Sequence, residues 1–423
     1  MREMAEPPVL TKSLVGELAI CGGRPAFGAP LHVGRPNVGD RVRLLARIND
    51  MLDRDWLSNN GPYVKEFEAR IAEKVGVKHC VAMCNGTIAL EIAIRATELA
   101  GEVIIPSYTF VATAHALQWQ EITPVFCDME AEGYNIDPGK IERMITPRTS
   151  GIIGVHVWGK PCNVDALMRI ADRNGLKLLF DAAHAFGCSY KGKMVGGFGL
   201  AEVFSFHATK FLNAFEGGAV VTNDDSLAAK MRLMKNFGFA GYDEVIYIGT
   251  NGKMTEASAA MGLTNLESME TFVAVNERNF HAYERGLGGI PGLSLMRYDE
   301  SESRNCQYIV VDVDEEIVGL SRDEIVRSLH AENVLARRYF FPGAHRMEPY
   351  RSHFPHAGLL LPETERRAKR TVILPTGTAI GADEISAICQ ILRVLVENAA
   401  ELRESLAGQR VAAPSGTREL RDA

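Results

Sequence analysis

A doubly wound α/β sheet domain followed by a smaller α+β domain is the fold class this sequence predicts, on three observations. Short apolar runs recur at near-regular intervals up to about residue 236, and helical periodicity fills the gaps between them. Several of those runs lack polar alternation, as expected of strands covered by helices on both faces. The chain, at 423 residues, also exceeds the roughly 250–300 at which single cores usually split, so a large unit and a smaller one are expected.

The elements follow in order. Residues 1–35 are rich in Gly and Pro and read as an arm that wraps a neighbouring surface. A large domain then spans 36–286. Within it Val64, Phe67, Ile71 and Val75 lie three to four apart, with Lys65, Glu68, Arg70 and Lys74 opposite, which predicts an amphipathic helix. Strands are expected at 80–83, 103–106, 125–128, 152–158, 178–181, 203–206 and 219–222, and helical character resumes over 255–269 and on toward 286. A new unit, 287–400, opens with strands at 292–295 and 307–313 and adds the helix 322–332, the segment 337–342 and a closing helix at 382–397. Apolar content falls from about residue 400, and 401–423 read as a disordered tail.

Composition excludes several function classes. Hydrophobic residues make up 46% and charged residues 23%, the balance of a globular enzyme. A net charge of -7 gives no footprint for nucleic acid or anionic membrane. The apolar runs are far shorter than the roughly 20 residues of a membrane helix, and the N-terminus lacks a secretory apolar core, so a cytoplasmic protein is expected. The eight cysteines form no CxxC pair and no zinc-like spacing, so no metal site is expected.

In open α/β sheets ligands bind beyond the carboxyl ends of the strands, so the residues there carry the chemistry. Asn85-Gly86-Thr87 follows the first strand and opens a helix, either as an anion site with free backbone N–H groups or as a plain Asn cap with a turn glycine. Phe110 ends Pro106-Ser107-Tyr108-Thr109-Phe110, where it can stack on a flat heterocycle or simply pack in the core. Asp181 closes an apolar strand, a costly place for a carboxylate unless a cation or strong donor meets it. Asp181-Ala182-Ala183-His184 adds small residues and an imidazole; a helix-capping Asp and a satisfied His are the bland alternative. Lys210 ends Ser205-Phe206-His207-Ala208-Thr209-Lys210, either a surface lysine or an amine able to form an imine with an aldehyde cofactor. An anion cradle, a stacking ring, a carboxylate for a ring nitrogen and an imine-forming amine are together what pyridoxal phosphate requires.

Order and spacing of these motifs, with Trp56-Leu57-Ser58, Gly61-Pro62 and Phe67-Glu68, resemble the DegT/DnrJ/EryC1/StrS nucleotide-sugar aminotransferases over nearly the whole chain. Asn213-Ala214-Phe215-Glu216-Gly217-Gly218 and Leu374-Pro375-Thr376-Gly377-Thr378 are most similar to the dTDP-4-keto-6-deoxyglucose 4-aminotransferases of deoxysugar pathways. The resemblance implies the pyridoxal-phosphate transferase fold type I, with a mainly parallel seven-stranded sheet. It implies that Lys210 carries the cofactor covalently, Asp181 pairs with the pyridine nitrogen, Phe110 stacks on the ring and His184 approaches its phenolic oxygen. Gly86, Thr87 and Ser205 would hold the phosphate. Asn251, within Gly249-Thr250-Asn251-Gly252-Lys253, matches the family's Asn that reaches the phosphate of a neighbouring subunit, which implies a homodimer with shared sites.

Where relatives often carry an aromatic and an Arg after that Asn, this chain has Gly252 and Lys253. Lys253 and His345 are the expected substrate contacts, and L-glutamate and a dTDP-keto-sugar the expected substrates. Three other readings stay open. Aminotransferases acting on a C3 ketone share the cofactor apparatus, so these motifs alone do not assign the ketone position. Sugar 3-dehydratases of the same fold resemble this chain but replace the lysine with His, and a non-catalytic cofactor-binding protein is possible on fold grounds alone.

Overall fold

The structure, a computed structural model, describes residues 9–404. Seven strands form the central sheet: β1 (His79–Met83), β2 (Glu102–Pro106), β3 (Thr123–Cys127), β4 (Thr149–Val155), β5 (Lys177–Asp181), β6 (Ala201–Ser205) and β7 (Gly218–Thr222), in the spatial order β1-β7-β6-β5-β4-β2-β3. Only β7 runs against its neighbours; the remaining pairs are parallel.

The absence of polar alternation has the expected cause. Successive residues of one strand enter different cores: Cys80, Ala82, Ile104, Leu178 and Phe180 pack in one layer, and Val81, Met83, Val103, Ile105 and Leu179 in the other. Because side chains alternate across a strand, a sheet covered on both faces must be apolar at every position. The helix Pro62–Val75 buries Val64, Phe67, Ile71 and Val75 as its spacing predicts, starts on Pro62 and stops at Gly76, whose φ of 73° is the left-handed conformation that ends helices.

A third core centres on the smaller unit and takes in Tyr108, Val155 and Trp158 from the larger one. There the antiparallel strands Leu293–Leu295, Ile309–Val313 and Thr371–Leu374 pair in order, backed by the helices Arg322–Ala331 and Ala382–Glu397. The helix Met269–Leu287 carries the chain from one unit to the other.

Several expectations need amendment. The run 152–158 stops as a strand at Val155, because Val157–Gly159 form a 3-10 turn in which Trp158 has φ 61°. Residues 401–404 are helical rather than disordered, with Leu402 buried and its N–H donating to the Asn398 carbonyl; the rest of that tail lies outside the described residues. The arm is seated on the small unit. The Ala19 and Ala26 N–H groups donate to the Glu332 carboxylate at 2.6 and 2.7 Å, and Leu31–His32 pair in parallel with Val334–Leu335. Among the described residues no helix is long and apolar enough to cross a membrane.

Candidate active site

The carboxyl ends of β4, β5 and β6, the start of the helix Gly86–Ala96 and the entry to the strand Ile309–Val313 surround one cavity of about 540 Å³. Gly86, Thr87, Phe110, Asp181, His184, Ser205 and Lys210 all line it. Seven of the residues singled out in sequence, spread over 125 positions, are therefore brought together.

The anion cradle is built by the helix start. The Asn85 side chain caps the helix by accepting from the Ile88 N–H at 2.8 Å, and the remaining first-turn N–H groups face the cavity's end of the helix. Gly86 is needed there: a Cβ on it would lie 3.1 Å from the Ser205 Cβ and close the gap between Ser205 and the helix start.

Asp181 is held by two donors. The Ala183 N–H meets Oδ1 at 3.1 Å and the Thr113 hydroxyl meets Oδ2 at 2.9 Å, while Thr113 is itself within 3.1 Å of the Thr109 hydroxyl. Burial outweighs these donors and the nearby Lys210, and raises the carboxyl above its ordinary value. A carboxylate left short of partners is what a cationic N–H of a ligand would satisfy.

Lys210 shows the complementary shift. Burial pushes its ammonium down to about 8 despite the opposing pull of Asp181, so a neutral amine is accessible near neutral pH. Its Nζ donates to the Tyr308 hydroxyl at 3.3 Å.

His184 lies beside aromatics of both units. It stacks on Trp158 with 5.7 Å between ring centroids and 10° between planes, and on Phe340 at 5.8 Å and 4°. Burial, then Lys210, keep it well below its ordinary value and hence neutral. Its Nδ1 accepts from the Trp158 backbone N–H at 3.3 Å, which leaves the proton on Nε2 as a donor. Phe110 is 56% exposed, an open aromatic face at the cavity rim.

Three expected site residues lie elsewhere. Asn251 is exposed and bridges Asn236 through the backbone, outside the cavity lining. Lys253 donates to Asn236 Oδ1 at 2.9 Å and covers the Phe237 ring at 4.9 Å, also outside it. His345 is 1% exposed at the seam between the units, with Nδ1 2.7 Å from the Ser107 hydroxyl and Nε2 2.8 Å from Glu365. Both of its ring nitrogens are paired within the chain.

Sequence reading also missed residues. Tyr308, Tyr339 and Phe340 reach the cavity from the small unit, and Val33 and Gly34 from the arm. Thr113, which supports Asp181, lies in the first turn of the helix Ala112–Gln118, four residues after the Thr109 whose hydroxyl it meets.

The residues fit pyridoxal phosphate: a cradle that a Cβ would fill, a half-satisfied carboxylate and an amine of lowered basicity share one cavity. The class that such a cavity defines is the pyridoxal-phosphate-dependent transferases built on a mainly parallel seven-stranded sheet. Residues 40–393 match the model of the DegT/DnrJ/EryC1/StrS aminotransferase family, and the chain belongs to that family.

The dTDP-4-amino-4,6-dideoxy-D-glucose transaminase of Escherichia coli is 36% identical over 365 residues, 86% of this chain and 98% of the relative. GDP-perosamine synthase of Caulobacter vibrioides is 35% identical over 307 residues, 72% of this chain and 82% of the relative. Among solved structures, that of DesI in the presence of its TDP-sugar product aligns with a TM-score of 0.89 at 49% identity, covering 94% of this chain and 100% of DesI. The chain is a pyridoxal-phosphate-dependent nucleotide-sugar aminotransferase.

Proposed function

We propose that this aminotransferase moves the amino group of L-glutamate to the C4 ketone of a dTDP-4-keto-6-deoxyhexose, giving a 4-amino-4,6-dideoxy sugar nucleotide. The observation that carries the catalytic part is the shared cavity of Lys210 and Asp181. The substrate assignment is supported by the likeness to the E. coli transaminase and to DesI, which was solved with a TDP-sugar product.

Pyridoxal phosphate, when bound, supplies an electron sink for the carbon whose bonds to hydrogen and nitrogen change. The chain's residues do the rest. Lys210 would hold the cofactor through its amine, and as a free amine of lowered basicity it would accept and return a proton at Nζ. Asp181 would offer the cofactor's ring nitrogen an anionic partner in a buried place and so favour its protonated form. His184, neutral and with Nε2–H as donor, would offer a hydrogen bond to the cofactor's oxygen, and Phe110 would cover its ring. Gly86, Thr87 and Ser205 would hold the phosphate at the helix start.

The remaining cradle is assigned to a second copy of the chain. Asn251 and Lys253 are outside this chain's cavity, and in a homodimer they serve the partner's phosphate and substrate. A cytoplasmic setting belongs to the same reading.

A panel of 3-keto and 4-keto sugars, each as dTDP and GDP conjugates, supplied with glutamate and read by product mass, tests it. Amination confined to dTDP-4-keto sugars is expected. Amination at C3, or preference for GDP, would overturn the substrate assignment and leave the cofactor chemistry standing.

A further inference from the structure

Tyr308 enters the cavity from the small unit, one residue before the strand Ile309–Val313. Its ring is clamped edge-on by Trp158, at 5.0 Å and 67°, and by His184, at 4.9 Å and 60°. The backbone leading to it is tied across the seam: Gln307 Nε2 and Asn305 Nδ2 both donate to the His184 carbonyl, at 2.6 and 2.8 Å. The phenol is 8% exposed, and burial pushes it far above its ordinary value, so it stays un-ionised. A fixed, neutral hydroxyl therefore stands 3.3 Å from the Lys210 amine.

That contact matters most when the lysine is free. A displaced lysine side chain regains rotation about four side-chain bonds and about Cε–Nζ, and proton transfer is efficient only when the lone pair faces the reacting carbon. A neutral primary amine has two N–H groups and one lone pair. Donation of one N–H to a rigid oxygen removes most of the rotation about Cε–Nζ and narrows the directions the lone pair can take.

We infer that Tyr308 is a positioning residue for Lys210: its hydroxyl holds the released amine and aims it at the substrate carbon in both half-reactions. No proton leaves Tyr308; a hydrogen bond forms when the amine is displaced and breaks when the amine rejoins the cofactor. Because Tyr308 belongs to the small unit and Lys210 to the large one, the aim of the amine depends on how the two units are seated. The inference rests on the reading that Lys210 carries the cofactor.

Tyr308→Phe removes the hydroxyl and keeps the clamped ring. In the holoenzyme, the single-turnover rate with glutamate should fall roughly tenfold, the scale set by loss of one hydrogen bond, while KM for glutamate and cofactor affinity change less than about twofold. The kinetic isotope effect with 2-deuterated glutamate should rise, since proton transfer becomes the slower step. In the apoenzyme, acylation of Lys210 followed against pH should have its midpoint below that of wild type, because a hydroxyl that accepts from the ammonium is gone. Unchanged rate, isotope effect and midpoint would overturn the inference, as would a rate loss explained entirely by weaker cofactor binding. Lys210→Ala is run beside it. Turnover surviving in Lys210→Ala would sink the underlying reading, whereas a dead Lys210→Ala with an unaltered Tyr308→Phe would sink the positioning role alone.

Discussion

Asp128 and Asp181 stand in the same kind of place and have opposite surroundings. Asp128 directly follows β3 and Asp181 closes β5, both at the carboxyl ends of apolar parallel strands. Asp128 is 2% exposed and has four donors. Thr364 gives its N–H and its hydroxyl, each at 2.8 Å, Lys140 its ammonium at 2.9 Å and Glu363 its N–H at 3.2 Å. Burial pushes its carboxyl up, but Lys140 and Thr364 outweigh burial, and the group lies below its ordinary value. Asp181 has two donors, and there burial wins. The difference separates a carboxylate that ties the two units together from one whose remaining partner must be a ligand.

Substitution at each site should sharpen that contrast. Asp181→Asn should cost about 10²–10³ in kcat/KM, the range seen when one stabilising group is removed from an active site. The stability of its apoenzyme at neutral pH should not fall, since a poorly solvated charge is being removed. Steady-state kinetics and chemical denaturation of the apoenzyme check both parts.

Asp128→Asn should do the reverse, losing about 1–3 kcal/mol of stability through its charge-assisted hydrogen bonds, with turnover within about threefold of wild type. The sign of the pH dependence follows from its lowered carboxyl. The stabilisation is present above the unfolded value near about 3.9 and fades as pH drops through the lower folded value. The gap between wild type and Asp128→Asn should accordingly begin to narrow below pH about 4 and close only below the lower folded value. Asp181, raised by burial, carries a penalty that disappears on protonation instead.

His345→Gln should have the smallest effect on chemistry, with glutamate-dependent turnover within about twofold and a stability loss of about 1 kcal/mol from its contacts with Ser107 and Glu365. A selective rise in KM for the sugar nucleotide would restore the substrate role that its position in the seam argues against.

The legibility of the molecule in its sequence follows the same division. The strands were readable because a sheet covered on both faces needs an apolar residue at every position, and 80–83, 103–106, 178–181, 203–206 and 219–222 each coincide with an observed strand to within two residues at either end. Gly86, Asp181 and Lys210 were readable because strand ends in such a sheet share one crevice. Partners brought from far along the chain were not. Thr364 satisfies Asp128 from 236 residues away, so nothing local marks Asp128 as the satisfied aspartate. Tyr308 meets Lys210 across 98 residues and sits in what reads as an ordinary strand entry. His345 has the residue type of a ligand contact, but only the fold shows that Ser107, 238 positions earlier, occupies one of its nitrogens. Val33 and Gly34 reach the cavity because the arm pairs with Val334–Leu335, a tertiary contact that composition does not encode.

The central claim is that Lys210 is the amine that bears the cofactor, opposite Asp181 in one cavity. Borohydride reduction of the holoenzyme, followed by digestion and peptide mass mapping, tests it directly. A single stoichiometric phosphopyridoxyl label is expected on the peptide containing Lys210, absent from the Lys210→Ala protein. Label at another lysine in the wild-type enzyme, with the Lys210 peptide unmodified, would contradict it.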